Sequence, residues 1–338
     1  MNTGRHAAWL THVVAGVLCL VGLVSGSQAG VFSRTRYVGI EHHSHSVYLY
    51  DEAFQKLPDH PEIPGRSLES FPEGQPLWML GFKVDVVRRQ DDGTIRVMSH
   101  DPAYFELVHH LVLAYRSPTR PTVPACANTL FAVGSELTDV WLPAGYAYKM
   151  DGGAWFPLSG HWKHSTDLHL HQGLYVRLTV FFDDASSYRD VQVMWIGSGS
   201  ETTPCRQAFA MPPGPSDRQS LPWVAPEDLR LVFVAPHTHD HVESLELQVN
   251  GQPLRRFTPA SAAIPVTHDD VGEGETSLHV HEGHLPSHGL SVWAPGVYGP
   301  IVQKGDALTV YSTSQNPHER SIDNMALFVI AWEAVPAQ

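Results

Sequence analysis

After its first 29 residues the chain has no apolar run of transmembrane length, so stable membrane insertion is not expected. Basic residues are also few. The chain has 22 Lys and Arg against 35 Asp and Glu, and its formal net charge of -13 argues against nucleic acid and anionic membranes as partners. Cysteine is scarce, with three in 338 residues. Helical periodicity is almost absent from residue 31 onward, which argues against a helical fold.

The first stretch is typical of an export signal. Arg5 supplies a positive start, residues 13–24 are apolar, and Ser27-Gln28-Ala29 forms a small-x-small cleavage site. We therefore predict a signal peptide over residues 1–29 and a secreted or periplasmic protein. The two cysteines outside this stretch, Cys126 and Cys205, then predict one disulfide, with two buried free thiols as the alternative.

The rest of the chain consists of many short apolar or alternating runs separated by Gly, Pro, Asp and Asn. This pattern is typical of an all-β fold of sandwich or jelly-roll type. Asn250-Gly251 between two such runs predicts a type I′ hairpin. The runs that predict strands are 77–87, 108–115, 174–182, 191–196, 229–234, 245–249, 307–311 and 325–332.

A length of 338 residues suggests two domains. The Gly- and Ser-rich segment 197–204 is the expected junction, and the turn-rich segment 211–215 follows it. We therefore predict an N-terminal β-sandwich domain over 30–200 and a C-terminal β-sandwich domain over 201–338.

Histidine is unusually frequent: its 22 residues equal Lys and Arg together. His237 and His239 directly follow the apolar run 229–234. In an extended strand, residues i and i+2 point to the same face, so the two imidazoles can converge on one cation. Their nitrogens suit copper or zinc better than calcium or magnesium. The alternative is a solvated strand end.

Other histidines form further groups. His109 and His110 interrupt an otherwise apolar strand, so a metal ion or backbone carbonyls must satisfy them. His169 and His171 repeat the i, i+2 spacing. The His-rich segments 42–45 and 268–288 are expected to be solvated, and weak metal binding is their alternative role.

The order of several short landmarks resembles the copper type II, ascorbate-dependent monooxygenases, whose best-known members hydroxylate peptidylglycine and dopamine. The resemblance covers roughly residues 105–333. Its landmarks are 108–113, 142–147, His237-Thr238-His239, Gly305-Asp306, and Asp323-Asn324-Met325 at the start of the last apolar strand.

This resemblance implies two antiparallel β-sandwich domains in tandem, with one copper each, facing each other across a solvent-filled cleft. It also implies that His237, His239 and Met325 hold the copper of the second domain. A thioether is a soft ligand suited to Cu(I), whereas structural zinc sites use Cys and His. Met325 as core filler is the alternative.

In the first domain, the resemblance implies that His109 and His110 bind copper together with a later His. Phe181 stands where that third ligand is expected, and phenylalanine cannot ligate copper. Either His169 or His171 takes its place, or this site is two-coordinate, weakened or lost.

The substrate positions also depart from the peptide-hydroxylating members, since Ala235, Leu327 and Val329 stand where those enzymes hold a peptide. The first hypothesis is an exported copper monooxygenase, with up to two copper ions and ascorbate or another external reductant, acting on an unknown small molecule or peptide. The second is a non-catalytic protein that sequesters or carries copper on the same scaffold. A metal-free β-sandwich binding module is the third. A blue-copper site is not expected, because it needs a Cys thiolate.

Overall fold

The computed structural model describes residues 32–39, 48–50, 77–98, 108–114, 129–134, 139–150, 158–162, 174–183, 187–199, 208–259 and 290–336. Strands dominate these residues, which confirms the all-β prediction of stacked, sandwich-like sheets. No helix among them is long and apolar enough to cross a membrane. The predicted signal peptide, Cys126, Cys205 and the His-rich segments 42–45 and 268–288 lie outside the described residues.

The N-terminal part contains two sheets. The larger has the order β11-β8-β3-β10-β1-β2, with β4 and β7 also paired to β3, and the smaller has the order β6-β5-β9. All pairs are antiparallel except β11 with β8. The strands are β1 (Phe32–Gly39), β2 (Tyr48–Tyr50), β3 (Leu77–Arg89), β4 (Ile95–Val97), β5 (Val108–Ala114), β6 (Thr129–Gly134), β7 (Asp139–Trp141), β8 (Tyr146–Met150), β9 (Leu158–Trp162), β10 (Leu174–Asp183) and β11 (Arg189–Asp190).

The C-terminal part is a sandwich of two antiparallel sheets. We call the sheet of order β12-β21-β16-β19, with β13 paired to β21, the inner sheet, and the sheet of order β14-β20-β17-β18, with β15 paired to β20, the outer sheet. Their strands are β12 (Gln192–Gly197), β13 (Ala208–Met211), β14 (Gly214–Gln219), β15 (Trp223–Val224), β16 (Leu229–Thr238), β17 (Val242–Val249), β18 (Gln252–Phe257), β19 (Ile301–Val302), β20 (Ala307–Asn316) and β21 (Ile322–Ala334).

The central strands of the inner sheet are buried on both faces. One face of β21, with Phe328 and Ile330, joins the core between the two sheets. The opposite face, with Leu327 and Val329, is also buried, at 1% and 4% exposure. Strand β6 of the N-terminal part contacts β12 and β21, and the Trp195 indole N–H donates to the Leu130 carbonyl at 3.3 Å. The second face of the inner sheet therefore packs against the N-terminal part.

The outer sheet is covered on one face only. Buried and more exposed residues alternate along β20 and β17, as expected when one face packs and the other meets water. Its hairpin turns at Asn250 and Gly251, whose φ values of 51° and 74° fit a type I′ turn. This confirms the hairpin predicted from the sequence.

A partly buried carboxylate joins the two parts of the chain. The Glu333 Oε1 atom accepts a hydrogen bond from the Tyr146 hydroxyl at 2.9 Å and lies 3.2 Å from Arg230 and 3.4 Å from Arg189. Burial, followed by the hydrogen bond to Glu333, raises the pKa of Tyr146. Tyr146 and Arg189 belong to the N-terminal sheet, whereas Arg230 and Glu333 belong to the inner sheet, so the network ties the parts together.

Most of the observed strands run longer than the predicted apolar runs. Strand β20 continues to Asn316 because Ser312 and Ser314 keep the ladder with β14 and β17 although they are polar. Strand β12 pairs with β21 and so belongs to the inner sheet of the C-terminal sandwich. The domain boundary at residue 200 stays a prediction.

Candidate metal centre

His237 and His239 lie at the end of β16, and both are buried, at 8% and 0% exposure. Their spacing of two residues on an extended backbone places both side chains on one face of the inner sheet. The ring centres are 5.1 Å apart and the ring planes are 81° apart. The sequence prediction of two adjacent imidazoles thus agrees with the observed geometry.

Met325 lies across from this pair on β21. The register pairs His237 with Leu327 and Thr238 with Ala326, and the His239 N–H donates to the Met325 carbonyl at 3.1 Å. Residues directly opposite each other in an antiparallel pair share a face, with Cβ atoms about 4.5–5.5 Å apart. The register therefore places the Met325 thioether on the face that carries the two imidazoles.

The turn after His239 is held by Asn324, which is fully buried. Its side-chain amide donates to the Asp240 carbonyl at 2.6 Å, and its Oδ1 accepts from the Met325 N–H at 2.7 Å. One side chain thus fixes the turn that carries His239 to the strand that carries Met325. Such support keeps a ligand set in place before a ligand binds.

The separation of the two rings fits a shared metal ion. An imidazole nitrogen bound at about 2.0 Å places its ring centre about 3 Å from the ion, and a tetrahedral angle then separates two ring centres by about 5 Å. The observed 5.1 Å matches this spacing. We call His237, His239 and Met325 the His-His-Met cluster.

The donor set of this cluster is two imidazoles and one thioether. Among the described residues, no group of three or more His, Cys, Asp or Glu side chains is placed to hold a metal ion. That finding does not consider methionine as a ligand, so it does not test whether the His-His-Met cluster can bind a metal ion. Imidazole with thioether suits soft ions, Cu(I) first among them.

The predicted first-domain site is only partly described. His109 and His110 lie in strand β5, where His110 pairs with Gly134 on one side and with His161 of β9 on the other. His161 was not among the predicted ligands, although its position in a short strand-like run was a usable signal. His169 and His171 lie outside the described residues. A metal role for His109, His110, His169 and His171 stays a prediction.

Phe181, at the position expected to hold a third ligand, has a structural role. It pairs with Ser33 and Gly81 in the larger N-terminal sheet, and its ring centre lies 4.5 Å from that of Trp141. The ring thus packs against an aromatic neighbour on the sheet.

A second pair of imidazoles was missed by sequence reasoning. His241 and His318 have ring centres 5.4 Å apart, with planes at 77°. Burial, followed by the nearby His318 charge, lowers the pKa of His241. No local signal links the two residues, because they are 77 positions apart in the chain.

No family model matches this chain, and no curated protein matches it. Several solved structures are similar to this chain at low sequence identity and low TM-score. PNGase F, a glycosylasparaginase from Flavobacterium meningosepticum, matches with 10% identity and a TM-score of 0.39 over 91% of this chain and 98% of that chain. The STIV MCP matches with 8% identity and a TM-score of 0.38 over 91% and 97%. The Sputnik virophage structure matches with 9% identity and a TM-score of 0.26 over 98% and 88%.

The predicted membership in the copper monooxygenases is wrong. Matching structures include PNGase F and viral proteins rather than copper monooxygenases, and no family model supports the assignment. The predicted monooxygenase function and the copper carrier on the same scaffold fall with it. The physical reason is that the landmarks were two- to six-residue motifs, and His pairs and Gly-Asp turns recur readily in a His-rich β protein. The implied substrate positions Leu327 and Val329 are also buried rather than facing an open cleft.

Proposed function

We propose that His237, His239 and Met325 can hold one soft transition-metal ion, Cu(I) in the first place; copper transport and copper sequestration are not part of this proposal. The observation that supports this proposal is the register of β16 against β21, which puts His237, His239 and Met325 on one face. The proposal concerns metal binding alone and includes no oxygen chemistry.

Each residue has a defined part in this proposal. His237 and His239 supply imidazole nitrogens from neighbouring positions on the same face of one strand. Because the strand already holds both side chains in place, little conformational entropy is lost when they chelate an ion. Met325 supplies a thioether that favours Cu(I) over harder ions. Ascorbate, if present, serves only to keep the ion in its reduced state.

The ion would be bound by two buried imidazoles and by the partly buried side chain of Met325. His239 is fully buried and His237 nearly so. Burial keeps water from competing for coordination and strengthens the bonds of a neutral donor set to a small cation. A Cu(I) ion carries a single positive charge, so its desolvation costs less than that of a divalent ion.

The test is Cu(I) affinity, measured by competition with a coloured chelator under anaerobic conditions on the full chain. Met325→Leu keeps the side-chain volume and should weaken binding of the first equivalent by at least about tenfold. The X-ray absorption spectrum of wild-type protein with one equivalent of Cu(I) should contain a sulfur shell, and the variant should lack it.

Met194→Leu is the matched control. Met194 lies on β12 in the same inner sheet, but its side chain is part of the core between the sheets. This variant should leave Cu(I) affinity and the sulfur shell unchanged. Wild-type protein without a sulfur shell, or equal affinity in the Met325→Leu variant, would overturn the proposal.

A further inference from the structure

His241 and His318 come together from two separate loops. His241 lies in the turn between β16 and β17, and His318 lies in the loop between β20 and β21. Their ring centres are 5.4 Å apart. By the spacing argument used for the His-His-Met cluster, two imidazoles bound to one ion at about 2.0 Å have ring centres about 5–6 Å apart.

The backbone at His241 adopts a conformation that costs energy for a residue with a side chain. Its φ is 72°, in the left-handed region. This region is unfavourable for an L-residue other than Gly, and such outliers cluster at functional sites. The other non-glycine residue with positive φ, Asn250, is accounted for by its hairpin turn. Glycine would adopt this backbone conformation without strain. The presence of histidine therefore suggests that the imidazole side chain itself has a role.

Both loops are fixed by hydrogen bonds. The His241 carbonyl accepts from the Gln315 N–H at 2.8 Å, and the His318 N–H donates to the Asn316 Oδ1 at 2.9 Å. Asn316 is itself buried, and its amide donates to the carbonyls of Met211 and Arg320. The two imidazoles are therefore carried on backbone that is held in place on either side.

We propose that His241 and His318 form a second metal site, distinct from the His-His-Met cluster, that binds a divalent ion preferring imidazole, such as Zn²⁺ or Cu²⁺. Two nitrogen donors without sulfur suit these borderline ions. Both residues are partly exposed, so the remaining coordination positions face solvent and are available to water or to a small ligand. This site goes beyond the proposed function, because its residues and its preferred ion are different.

The test uses the full chain, Zn²⁺ alone as the probe and carbethoxylation of histidines read residue by residue by mass spectrometry. This readout separates His241 and His318 from the other histidines of the chain. Zn²⁺ should protect both residues over the same concentration range. In the His318→Ala variant, the Zn²⁺ concentration that half-protects His241 should rise at least about tenfold, because one imidazole alone gives no chelation.

The reciprocal variant, His241→Ala, tests whether the effect of His318→Ala comes from lost metal binding or from a local change in loop structure. His241→Ala should weaken protection of His318 by the same factor, since coupling between two ligands of one ion is mutual. Glu319→Gln, an exposed change in the same loop, should leave both protection curves unchanged. Protection of His241 that is the same with and without the His318 imidazole would overturn the proposal, as would absence of protection in the wild type. Neither result bears on Cu(I) binding, which is read through Met325.

Discussion

The inner and outer sheets of the C-terminal sandwich share one core but differ in their second faces. The second face of the inner sheet is buried against the N-terminal part, whereas that of the outer sheet carries polar residues toward solvent. The His-His-Met cluster lies on the covered face of the inner sheet, and His318 lies in the loop at the end of β20 in the outer sheet. The comparison shows that a sheet covered on both faces can hold buried metal-ligating side chains such as His237 and His239. A sheet with one solvent-exposed face carries its histidine in a loop at the end of the sheet.

The largest effect should come from a charge on the covered face. Leu327→Asp puts a carboxylate at a position that is 1% exposed, so it should lower the free energy of unfolding by about 3–5 kcal/mol. Gln315→Asp, at an exposed position of β20, should change it by less than about 0.5 kcal/mol. Urea unfolding of both variants measures this. Similar values for the two would mean that the N-terminal part does not cover the inner sheet.

Intermediate effects should come from the two buried asparagines that anchor the His-bearing loops. Asn316 makes three hydrogen bonds from the end of β20, and Asn324 makes two from β21. Removing either side chain takes hydrogen-bond partners from backbone groups that are buried or partly buried, so Asn316→Ala and Asn324→Ala should each cost about 1–3 kcal/mol. We expect the larger loss for Asn316→Ala.

The same two variants should affect the two metal sites differently. Asn316→Ala should weaken Zn²⁺ protection of His318 while Cu(I) binding is kept, because the Asn316 side chain contacts the loop of His318 and not the His-His-Met cluster. Asn324→Ala should weaken Cu(I) binding, and it should also weaken Zn²⁺ protection because the Asp240 carbonyl that it binds is next to His241. Each readout is taken below the unfolding transition of the variant. If Asn316→Ala weakens both kinds of binding equally, the two clusters are not independent.

The smallest effect concerns the junction that covers the inner sheet. The pKa of Tyr146 is raised above its unfolded value of about 10, by burial and then by its hydrogen bond to Glu333. Above pH 10 the unfolded chain loses this proton before the folded chain does, so the stability contribution is fully present below that pH and is lost as pH rises through the folded pKa.

Tyr146→Phe should therefore flatten the alkaline decline of stability, measured by urea unfolding between pH 8 and pH 11. Tyr298→Phe, at a tyrosine that is 92% exposed, is the control and should leave the profile unchanged. An identical decline in wild type and in the Tyr146→Phe variant would show that the Tyr146 and Glu333 contact does not contribute to folding.

Sequence patterns predicted the features that depend on residues close together in the chain, namely strand type, the hairpin turn and the shared face of His237 and His239. The alternating and apolar runs predicted an all-β chain because side-chain period follows backbone geometry. Asn250-Gly251 predicted its hairpin because both residues accept positive φ. The i, i+2 spacing predicted that His237 and His239 share a face. The family resemblance failed because short motifs in order carry little information in a chain so rich in histidine.

Only the tertiary structure decided which strands meet and in which register. Met325 lies across from His239 because β16 and β21 pair antiparallel with Thr238 opposite Ala326, a choice that no window of the sequence contains. His241 meets His318 because the strands that flank them close the sandwich at the same end. The burial of His237 and His239 depends on a sheet that is covered on both faces. Side-chain periodicity, the hairpin turn and the spacing of the histidines are thus determined by residues close together in the sequence. The strand register and the covering of both faces of the inner sheet follow from the packing of the whole chain.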